Sequence, residues 1–474
     1  MVFLQKKELS IKKIRQKLDV ALKDKNFSFV LKGSALTAIT LGVVQGLRFI
    51  SSVVIGRKYG ASVVGDLALV TAVQSIAAIL ANAGLKDAML KFIPQYKEKH
   101  NLATAFDIYK MAIKLLFVFS IIASAVVYFI APWLGNTVWK TPELIPFFRL
   151  TSFFLFFFLW NELNNFSLRA ILKVKNANYN NITVVLFRVI ALIVITFGFY
   201  NINNPIWLHF VAGGFFAAFI SFIPIYRFFY KPSQLQLAQP SIDYKELISV
   251  SFPMLLTYSS FMINDFMDVV VLKMFVSKAT LGVYRNCQTL SQLAAMVLVG
   301  MNTTIQPKIS QLYHKNEITE VRKITQRASK LIFLINIPVF ILLIFGSKYV
   351  LSIYGKEFMS GALCLTLLTI GQVINTATGP VAQLLNVTGN HKKFRDIAFM
   401  GAMVKLVFNL ALIPFYGIYG AAIASAISMA SWNIIGTLYI KKKFGFYIAY
   451  VPFLNLHKKI KVVENSTNEK QNNE

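Results

Sequence analysis

Residues 182–200 read ITVVLFRVIALIVITFGFY, an apolar run whose only charged residue is Arg188. A run of about 20 apolar residues is long enough to cross a bilayer once as a helix. Eleven further runs of this kind have the limits 33–55, 66–84, 111–131, 147–166, 206–226, 247–275, 283–305, 331–353, 362–387, 397–413 and 418–440. We therefore predict an all-α polytopic membrane protein with about 12 transmembrane helices, called spans 1 to 12 in chain order.

The composition excludes a soluble enzyme. Hydrophobic residues make up 56% of the 474 residues and charged residues only 15%, whereas soluble domains average about 45–50% and about 25%. The loops between spans leave no room for a catalytic domain, so we predict that the protein is not an enzyme. Cys287 and Cys364 both lie in apolar runs and provide neither a disulfide framework nor a metal cluster. We expect no cofactor and no metal.

The basic residues are distributed unequally between the two sides of the membrane. With both termini in the cytoplasm, the five internal loops on that side hold 20 Lys and Arg, and the opposite loops with adjoining helix ends hold seven. This asymmetry predicts a multi-pass membrane protein with both termini in the cytoplasm. It also explains the net charge of +29 by topology and contact with anionic membrane lipids, without a nucleic-acid partner.

The second half of the chain repeats the first at an offset of about 216 residues. Residues 107–119 (DIYKMAIKLLFVF) align with 323–335 (KITQRASKLIFLI), and Gly65 meets Gly282 after a one-residue slip. Two parallel repeats of six helices are typical of transporters. The predicted organisation is a basic amphipathic segment, a lobe of spans 1–6, a cytoplasmic linker, a lobe of spans 7–12 and a basic, then disordered, tail. Their limits are 1–32, 33–230, 231–246, 247–440 and 441–474.

Four cations lie deep within the spans, where an exposed charge costs about 2.5–3.5 kcal/mol. They are Arg48, Arg188, Arg285 and Lys405. The separation of Arg188 and Lys405 in the chain is close to the repeat offset, so they are predicted to occupy equivalent places in spans 5 and 11. If the four face one central cavity, they form a binding site for an anionic head group such as a diphosphate. The alternative is that they pair with acids between helices or reach the membrane surface.

Acidic residues within the spans are fewer. Asp265 and Asp268 are three residues apart and share one face of span 7. They are candidates for coupling transport to a proton or sodium gradient. The alternative interpretation is a structural ion pair with Arg48 or Arg285. Glu162, near the end of span 4, is interpreted as a residue of a helix interface.

Four short sequence elements resemble those of a known family. Gly56-Arg57-Lys58-Tyr59-Gly60 follows span 1, and Asn82-Ala83-Gly84-Leu85 closes span 2. Gly389-Asn390 follows span 10, and Gly417-Ile418-Tyr419-Gly420-Ala421-Ala422 precedes or begins span 12. These elements resemble the polysaccharide-transporter, or O-antigen repeat-unit flippase, family of the multidrug/oligosaccharidyl-lipid/polysaccharide exporter superfamily.

The resemblance implies two six-helix lobes around a central cavity that opens alternately to each side. Members move undecaprenyl-diphosphate-linked oligosaccharides across the bacterial inner membrane for surface polysaccharide synthesis, beside polymerase and export machinery. The resemblance therefore implies that this chain is a bacterial inner-membrane protein. Related lipid II flippases carry an acid in span 2, where Asp66 falls, which makes Asp66 a further candidate for ion coupling. Their early span 1 arginine aligns near Gln45 and not with Arg48, which indicates a different branch.

Three alternatives to an oligosaccharide flippase stay open. A multidrug or cation antiporter of the same superfamily needs a cavity rich in acids. Here buried cations outnumber buried acids by six to three, when Lys114 and Arg149 near the starts of spans 3 and 4 are counted. A lipid II-type flippase shares the predicted fold. A membrane polysaccharide polymerase or ligase needs a large outer loop, and the longest outer loop is residues 132–146.

Overall fold

The computed structural model describes residues 25–98, 102–198, 206–229, 243–450 and 452, and these residues are almost entirely helical, without a β-strand. The fourteen α-helices of this part of the chain are α1 (Lys25–Asn82), α2 (Leu85–Glu98), α3 (Leu102–Trp133), α4 (Ile145–Ala170), α5 (Val174–Gly198), α6 (Ile206–Phe229), α7 (Tyr244–Leu272), α8 (Lys278–Leu293), α9 (Met296–His314), α10 (Ile318–Phe345), α11 (Ser347–Ser352), α12 (Ala362–Thr378), α13 (Val381–Val387) and α14 (His391–Phe444). A π-helical turn (Leu134–Val138) and two 3₁₀ turns (Pro142–Leu144 and Lys356–Gly361) connect some of them.

Three predicted segments fall partly outside these ranges. The described part contains residues 25–32 of the basic N-terminal segment, 243–246 of the linker, and 441–450 with 452 of the tail. The remaining residues of those segments lie outside the described residues.

The longest helices each contain two of the predicted spans. Seven helical stretches in the described residues are apolar and long enough to cross a membrane, and 39–82 and 391–444 are the two longest. Each bends at a glycine with positive φ, Gly60 (φ +80°) and Gly417 (φ +53°). Glycine adopts this conformation without the clash that a Cβ creates. Each of these helices therefore consists of two spans that follow one another directly and change direction at the glycine: spans 1 and 2 at Gly60, and spans 11 and 12 at Gly417.

Three other spans are interrupted. Span 9 is divided between α10 and α11 at Gly346. Span 8 is divided between α8 and α9, and span 10 is divided between α12 and α13 at Gly379, whose φ is +73°. Interrupted helices expose backbone polar groups, and within a membrane these are tolerated where protein or a water-filled cavity surrounds them.

We call α1–α6 the N-lobe and α7–α14 the C-lobe. Each lobe has its own buried apolar cluster, and the largest cluster joins the lobes through α1, α8 and α12. The lobes approach each other closely at a reciprocal contact. A Cβ on Gly65 would lie 2.0 Å from the Lys278 carbonyl oxygen, and one on Gly282 would lie 1.9 Å from that of Ala61. Gly65 with Gly282, and Ala61 with Lys278, are equivalent positions at the same offset, so the contact follows the internal repeat.

Candidate functional site: a cationic central cavity

A polar cavity of about 460 Å³ lies between the lobes, which is within the usual size range of ligand sites. Its walls come from α1, α4, α5, α7 and α8. Its uncharged polar lining comes largely from two faces of α1. Ser51 and Ser52 lie one turn after Arg48 on the first face. Thr71, Gln74 and Ser75, three and four residues apart, share the second.

Three of the four predicted cations line this cavity: Arg48, Arg188 and Arg285. Arg48 is exposed to the cavity, whereas Arg188 and Arg285 are half-buried. Arg285 Nη1 donates to Gln288 Oε1 at 2.6 Å. Within the described residues no carboxylate lies within 4 Å of any of the three guanidinium groups, and Arg188 Nε is buried without a hydrogen-bond partner. The arginines can therefore donate to an anionic ligand.

Two carboxylates share the cavity wall, Glu162 and Asp265. Glu162 accepts from Lys86 Nζ at 2.8 Å, and the Lys86 side chain is only 2% exposed. Asp265 is exposed to the cavity, and in the described part of the chain it forms no ion pair with Arg48 or Arg285. Because Lys86 compensates Glu162, the wall has an excess of positive charge.

Lys405 does not line the central cavity, and its charge is compensated by Asp268. Its Nζ lies 2.8 Å from Asp268 Oδ2, and the two side chains are 6% and 0% exposed. The Asp268 carboxylate also accepts from Tyr284 (2.6 Å), Ser425 (2.9 Å) and Asn409 (2.7 Å). This buried pair joins α7, α8 and α14. A separate cavity of about 70 Å³ lies beside it, and Asp265 borders both cavities.

Asp66 lies apart from these acids, where the lobes meet at the predicted outer end. There Lys278 of the C-lobe contacts two N-lobe acids, with Nζ 3.4 Å from Asp66 Oδ1 and 2.6 Å from Glu143 Oε1. Burial opposes the charge of Lys278, but the hydrogen bond to Glu143 and the charge of Asp66 outweigh it and raise the pKa of Lys278 above its ordinary value. Asp66 therefore belongs to an interlobe ion-pair cluster.

Further contacts seal the same end. Lys273 Nζ donates to the Trp139 carbonyl at 3.0 Å. Arg57 Nε donates to the Ile353 carbonyl at 2.6 Å, and the Ala61 N–H donates to Glu357 Oε1 at 2.7 Å. Each of these hydrogen bonds joins the two lobes. The central cavity is thus closed toward the predicted outer end.

At the opposite end, two positions that are equivalent in the repeat differ in how closely a neighbouring helix approaches. A Cβ on Gly84, whose φ is +76°, would lie 2.0 Å from the Ser251 carbonyl oxygen of α7. At the repeat offset of 216 residues its equivalent is Gly300 of α9, where no atom of the described residues outside the adjoining helix backbone lies within 4 Å of the Cβ position. The contact between the end of span 2 and span 7 is close, whereas the equivalent position in span 8 is open.

Two features of the site were not predicted from the sequence. Lys86 falls between the limits of spans 2 and 3, where a cytoplasmic loop is predicted, but it is buried against Glu162. The two residues lie on different helices, α2 and α4, so no local signal marks the pair. The polar face of span 2 (Thr71, Gln74 and Ser75) could have been found, because its spacing places three polar side chains on one face of an otherwise apolar helix.

Two lobes of membrane-spanning helices, related by an internal repeat and enclosing a polar cavity sealed at one end, define the class of a multi-pass membrane transporter. Comparison with known proteins agrees with this class. A family model described as polysaccharide biosynthesis protein matches residues 30–313, and a MatE model matches residues 253–411. The chain belongs to the polysaccharide biosynthesis protein family, and the resemblance to the exporter superfamily is confirmed.

Solved structures of similar fold include two transporters. A lipid II flippase, MurJ, in an inward closed conformation has a TM-score of 0.70 at 17% identity, over 86% of this chain and 89% of that one. An inward-facing multidrug resistance MATE family transporter of the MOP superfamily has a TM-score of 0.69 at 14% identity, over 86% of this chain and 98% of that one. The predicted all-α fold of two pseudo-symmetric lobes is confirmed.

Among sequence relatives, the "Probable low-salt glycan biosynthesis flippase Agl15" of Haloferax volcanii is 26% identical over 180 residues. The match covers 37% of this chain and 38% of that protein. The chain thus spans well under half the length of this relative.

Proposed function

We propose that the protein is a flippase that moves lipid-linked oligosaccharides, carried on undecaprenyl diphosphate, from the inner to the outer leaflet of a bacterial inner membrane. The flipped units supply surface polysaccharide synthesis, and polymerase or export machinery takes them up on the outer side. The substrate's diphosphate binds in the central cavity, and the lipid chain stays in the membrane. Binding and release require no covalent step.

The observation that carries this proposal is the charge of the cavity wall. Arg48, Arg188 and Arg285 face one space and have no carboxylate within 4 Å in the described residues. Arginine presents a planar fork of donors that matches phosphate oxygens in pairs. Hydrogen bonds to charged groups contribute about 1.5–3 kcal/mol each, so three arginines select strongly for an anionic head group.

The closed end supports alternating access. Moving the substrate outward requires the lobes to separate where Lys278 contacts Asp66 and Glu143. The Lys278–Glu143 pair is partly exposed, and the Lys278–Asp66 pair is long at 3.4 Å, so both are weak enough to break during a transport cycle. With the termini in the cytoplasm, as the distribution of basic residues predicts, the structure represents a conformation closed toward the outside.

Among the acids, we assign ion coupling to Asp265. It is exposed to the same cavity as the arginines, so a proton or sodium ion bound there affects the affinity for an anion directly. The carboxylate of Asp268 is already occupied by Lys405 and three further donors. That arrangement fits a structural pair. Asp66 contributes to closure of the outer end through Lys278.

A drug antiporter is the main competing function, because one structure of similar fold is a multidrug transporter. Organic cations need an acidic cavity. Here Glu162 is compensated by Lys86, which leaves Asp265 against three arginines. The charge balance disfavours a cationic substrate. A lipid II-type flippase has the same requirement for diphosphate binding, so the cavity charge does not separate it from the oligosaccharide flippase.

The experiment uses the purified full chain in liposomes that carry undecaprenyl-diphosphate-linked oligosaccharide with a fluorescent label on the sugar. A membrane-impermeant quencher reports the fraction of label in the outer leaflet. We expect the protein to equilibrate the label between leaflets, whereas protein-free liposomes keep their initial distribution. Parallel liposomes contain lipid II or a cationic dye. Transport of the dye without movement of either lipid contradicts the proposal, and exclusive movement of lipid II assigns the protein to the other flippase branch.

A further inference from the structure

A second polar cavity lies on the N-lobe away from the central site, in the groove between α5 and α6. Its volume is about 420 Å³. The first turns of α5 contribute Asn176 and Tyr179, and the last turns of α6 contribute Pro224 and Arg227. Lys173, in the turn before α5, completes the groove. All of these elements lie at the predicted inner end of the N-lobe.

The groove is basic. Lys173 and Arg227 both border it, and all the other residues that line it are uncharged. Lys173 Nζ lies 3.5 Å from the Pro224 carbonyl oxygen and 4.9 Å from the centre of the Phe228 ring. These contacts direct the ammonium group toward α6. Arg227 is exposed in the last turn of α6. The two cations therefore lie at one end of a cavity whose described lining has no acidic side chain.

The rest of the groove opens onto the outer surface of the lobe. Tyr179 is 63% exposed, Ile220 41% and Ile223 47%. Exposed isoleucines on a membrane-spanning helix face the lipid chains. A tyrosine with cations beside it is typical of the boundary between the hydrocarbon core and the head groups. The groove thus offers an apolar wall for acyl chains and two cations at the depth of lipid phosphates.

We propose that this groove is a binding site for a membrane phospholipid with an anionic head group, in the leaflet at the predicted inner end. Arg227 and Lys173 bind the phosphate, and Tyr179 adds a hydroxyl donor. The acyl chains lie against Ile220 and Ile223. Basic pockets between transmembrane helices on the cytoplasmic side are suited to such head groups. The site is separate from the proposed transport cavity and requires only that the chain spans a membrane.

The residues at the back of the groove connect a bound lipid to the stability of the N-lobe. Asn180 donates to Asn161 of α4 at 2.9 Å, and Ser221 accepts from Asn164 of α4 at 2.8 Å. Both Asn180 and Ser221 line the groove. A lipid in this position packs onto the hydrogen bonds that join α4, α5 and α6. A ligand that binds the folded protein raises its stability, so we expect the lipid to stabilise the N-lobe.

The test uses the delipidated full chain in detergent, titrated with phosphatidylglycerol or with phosphatidylcholine. Native mass spectrometry counts bound lipids, and thermal unfolding reports stability. We expect one tightly bound phosphatidylglycerol and a higher unfolding temperature than with phosphatidylcholine. The double variant Lys173→Gln/Arg227→Gln should bind phosphatidylglycerol about tenfold more weakly. The control is Lys392→Gln/Lys393→Gln, which removes two exposed cations from the first turn of α14 and should bind like the wild type.

Three outcomes overturn the proposal: equal affinity of the groove variant and the wild type, equal loss of affinity in the control variant, or the same stabilisation by inorganic phosphate alone. A second measurement covers a groove variant that folds poorly. A phosphatidylglycerol with a photoreactive acyl chain should label the wild-type peptides that contain Tyr179 or Ile223. Labelling confined to the C-lobe contradicts the site.

Discussion

Arg188 in the N-lobe and Lys405 in the C-lobe lie at equivalent places in the internal repeat, yet their surroundings differ. Arg188 is half-buried beside the central cavity, and its Nε has no hydrogen-bond partner in the described part of the chain. Lys405 is 4% exposed and contacts Asp268 and the Asn264 carbonyl. The residue that aligns with Asp268 in the N-lobe is Ser51, which cannot compensate a charge.

The same repeated position is therefore used differently in the two lobes. In the C-lobe the cation is part of an ion pair that joins three helices, and in the N-lobe it is available to a ligand. A buried charge without a partner is unfavourable, so an unpaired cation is retained where water or an anionic ligand reaches it. In the proposed function, the asymmetry favours anion binding by the N-lobe face of the cavity and by Arg285 opposite it.

The largest expected effect comes from removing the paired cation. Lys405→Met leaves the Asp268 carboxylate buried without its countercharge, which should lower the free energy of unfolding by about 3–5 kcal/mol. Arg188→Met is the matched control, because it breaks no ion pair in the described residues and removes a half-buried, unpaired charge, so it should not lower the free energy of unfolding. Thermal unfolding of both purified variants in detergent checks this. Equal destabilisation by the two substitutions would mean that the lobes do not differ in this way.

A second pair of equivalent positions, Gly84 and Gly300, compares how closely the backbones of neighbouring helices pack in the two lobes. Gly84→Ala places a methyl group against the Ser251 carbonyl at a positive φ and should destabilise by about 2–4 kcal/mol. Gly300→Ala, in open space within α9, should be neutral or stabilise by up to about 1 kcal/mol. The same unfolding measurement applies. A Gly300→Ala variant as unstable as Gly84→Ala contradicts the open packing of span 8.

The smallest effect is expected at the contact between lobes. Lys278→Met removes the exposed ion pair to Glu143 and the longer contact with Asp66, which together should contribute about 1 kcal/mol to closure of this end. The population open at this end should rise about fivefold. Spin labels on Lys140→Cys and Lys356→Cys, one exposed residue on each lobe, report their separation by electron paramagnetic resonance. Lys348→Met, at an exposed lysine of α11, should leave the distance distribution unchanged, and a Lys278→Met distribution identical to wild type refutes the role of this contact.

Much of the fold could be predicted because lipid imposes simple rules. Apolar runs of span length fold as helices since the bilayer offers no other partner for the backbone. The glycines in the Gly56–Gly60 and Gly417–Ala422 motifs marked the two places where long helices turn back. The contact between Gly65 and Gly282 follows the repeat that the sequence already indicated. The exact domain limits stay a prediction.

The site was less predictable, because the partner that compensates a buried charge can be distant in sequence. The positions of Arg48, Arg188, Arg285 and Asp265 at the cavity agree with the idea of convergent charges, and their roles remain proposals. Nothing local to Lys405 in α14 indicates that Asp268 of α7 lies beside it, or that Lys86 reaches Glu162. Burial of a charge within a span could be inferred from hydrophobicity, but its partner is fixed only when the helices pack.

The most direct test of the account measures binding of undecaprenyl diphosphate to the purified chain, with uncharged undecaprenol as the reference ligand. We expect the wild type to prefer the diphosphate, and Arg188→Gln to weaken its binding about 10- to 100-fold. Arg48→Gln and Arg285→Gln should behave similarly, and undecaprenol binding should be unchanged in all three. Equal affinity of the wild type for the charged and uncharged lipids, or diphosphate binding unaffected by the three substitutions, would contradict an anion-binding central cavity.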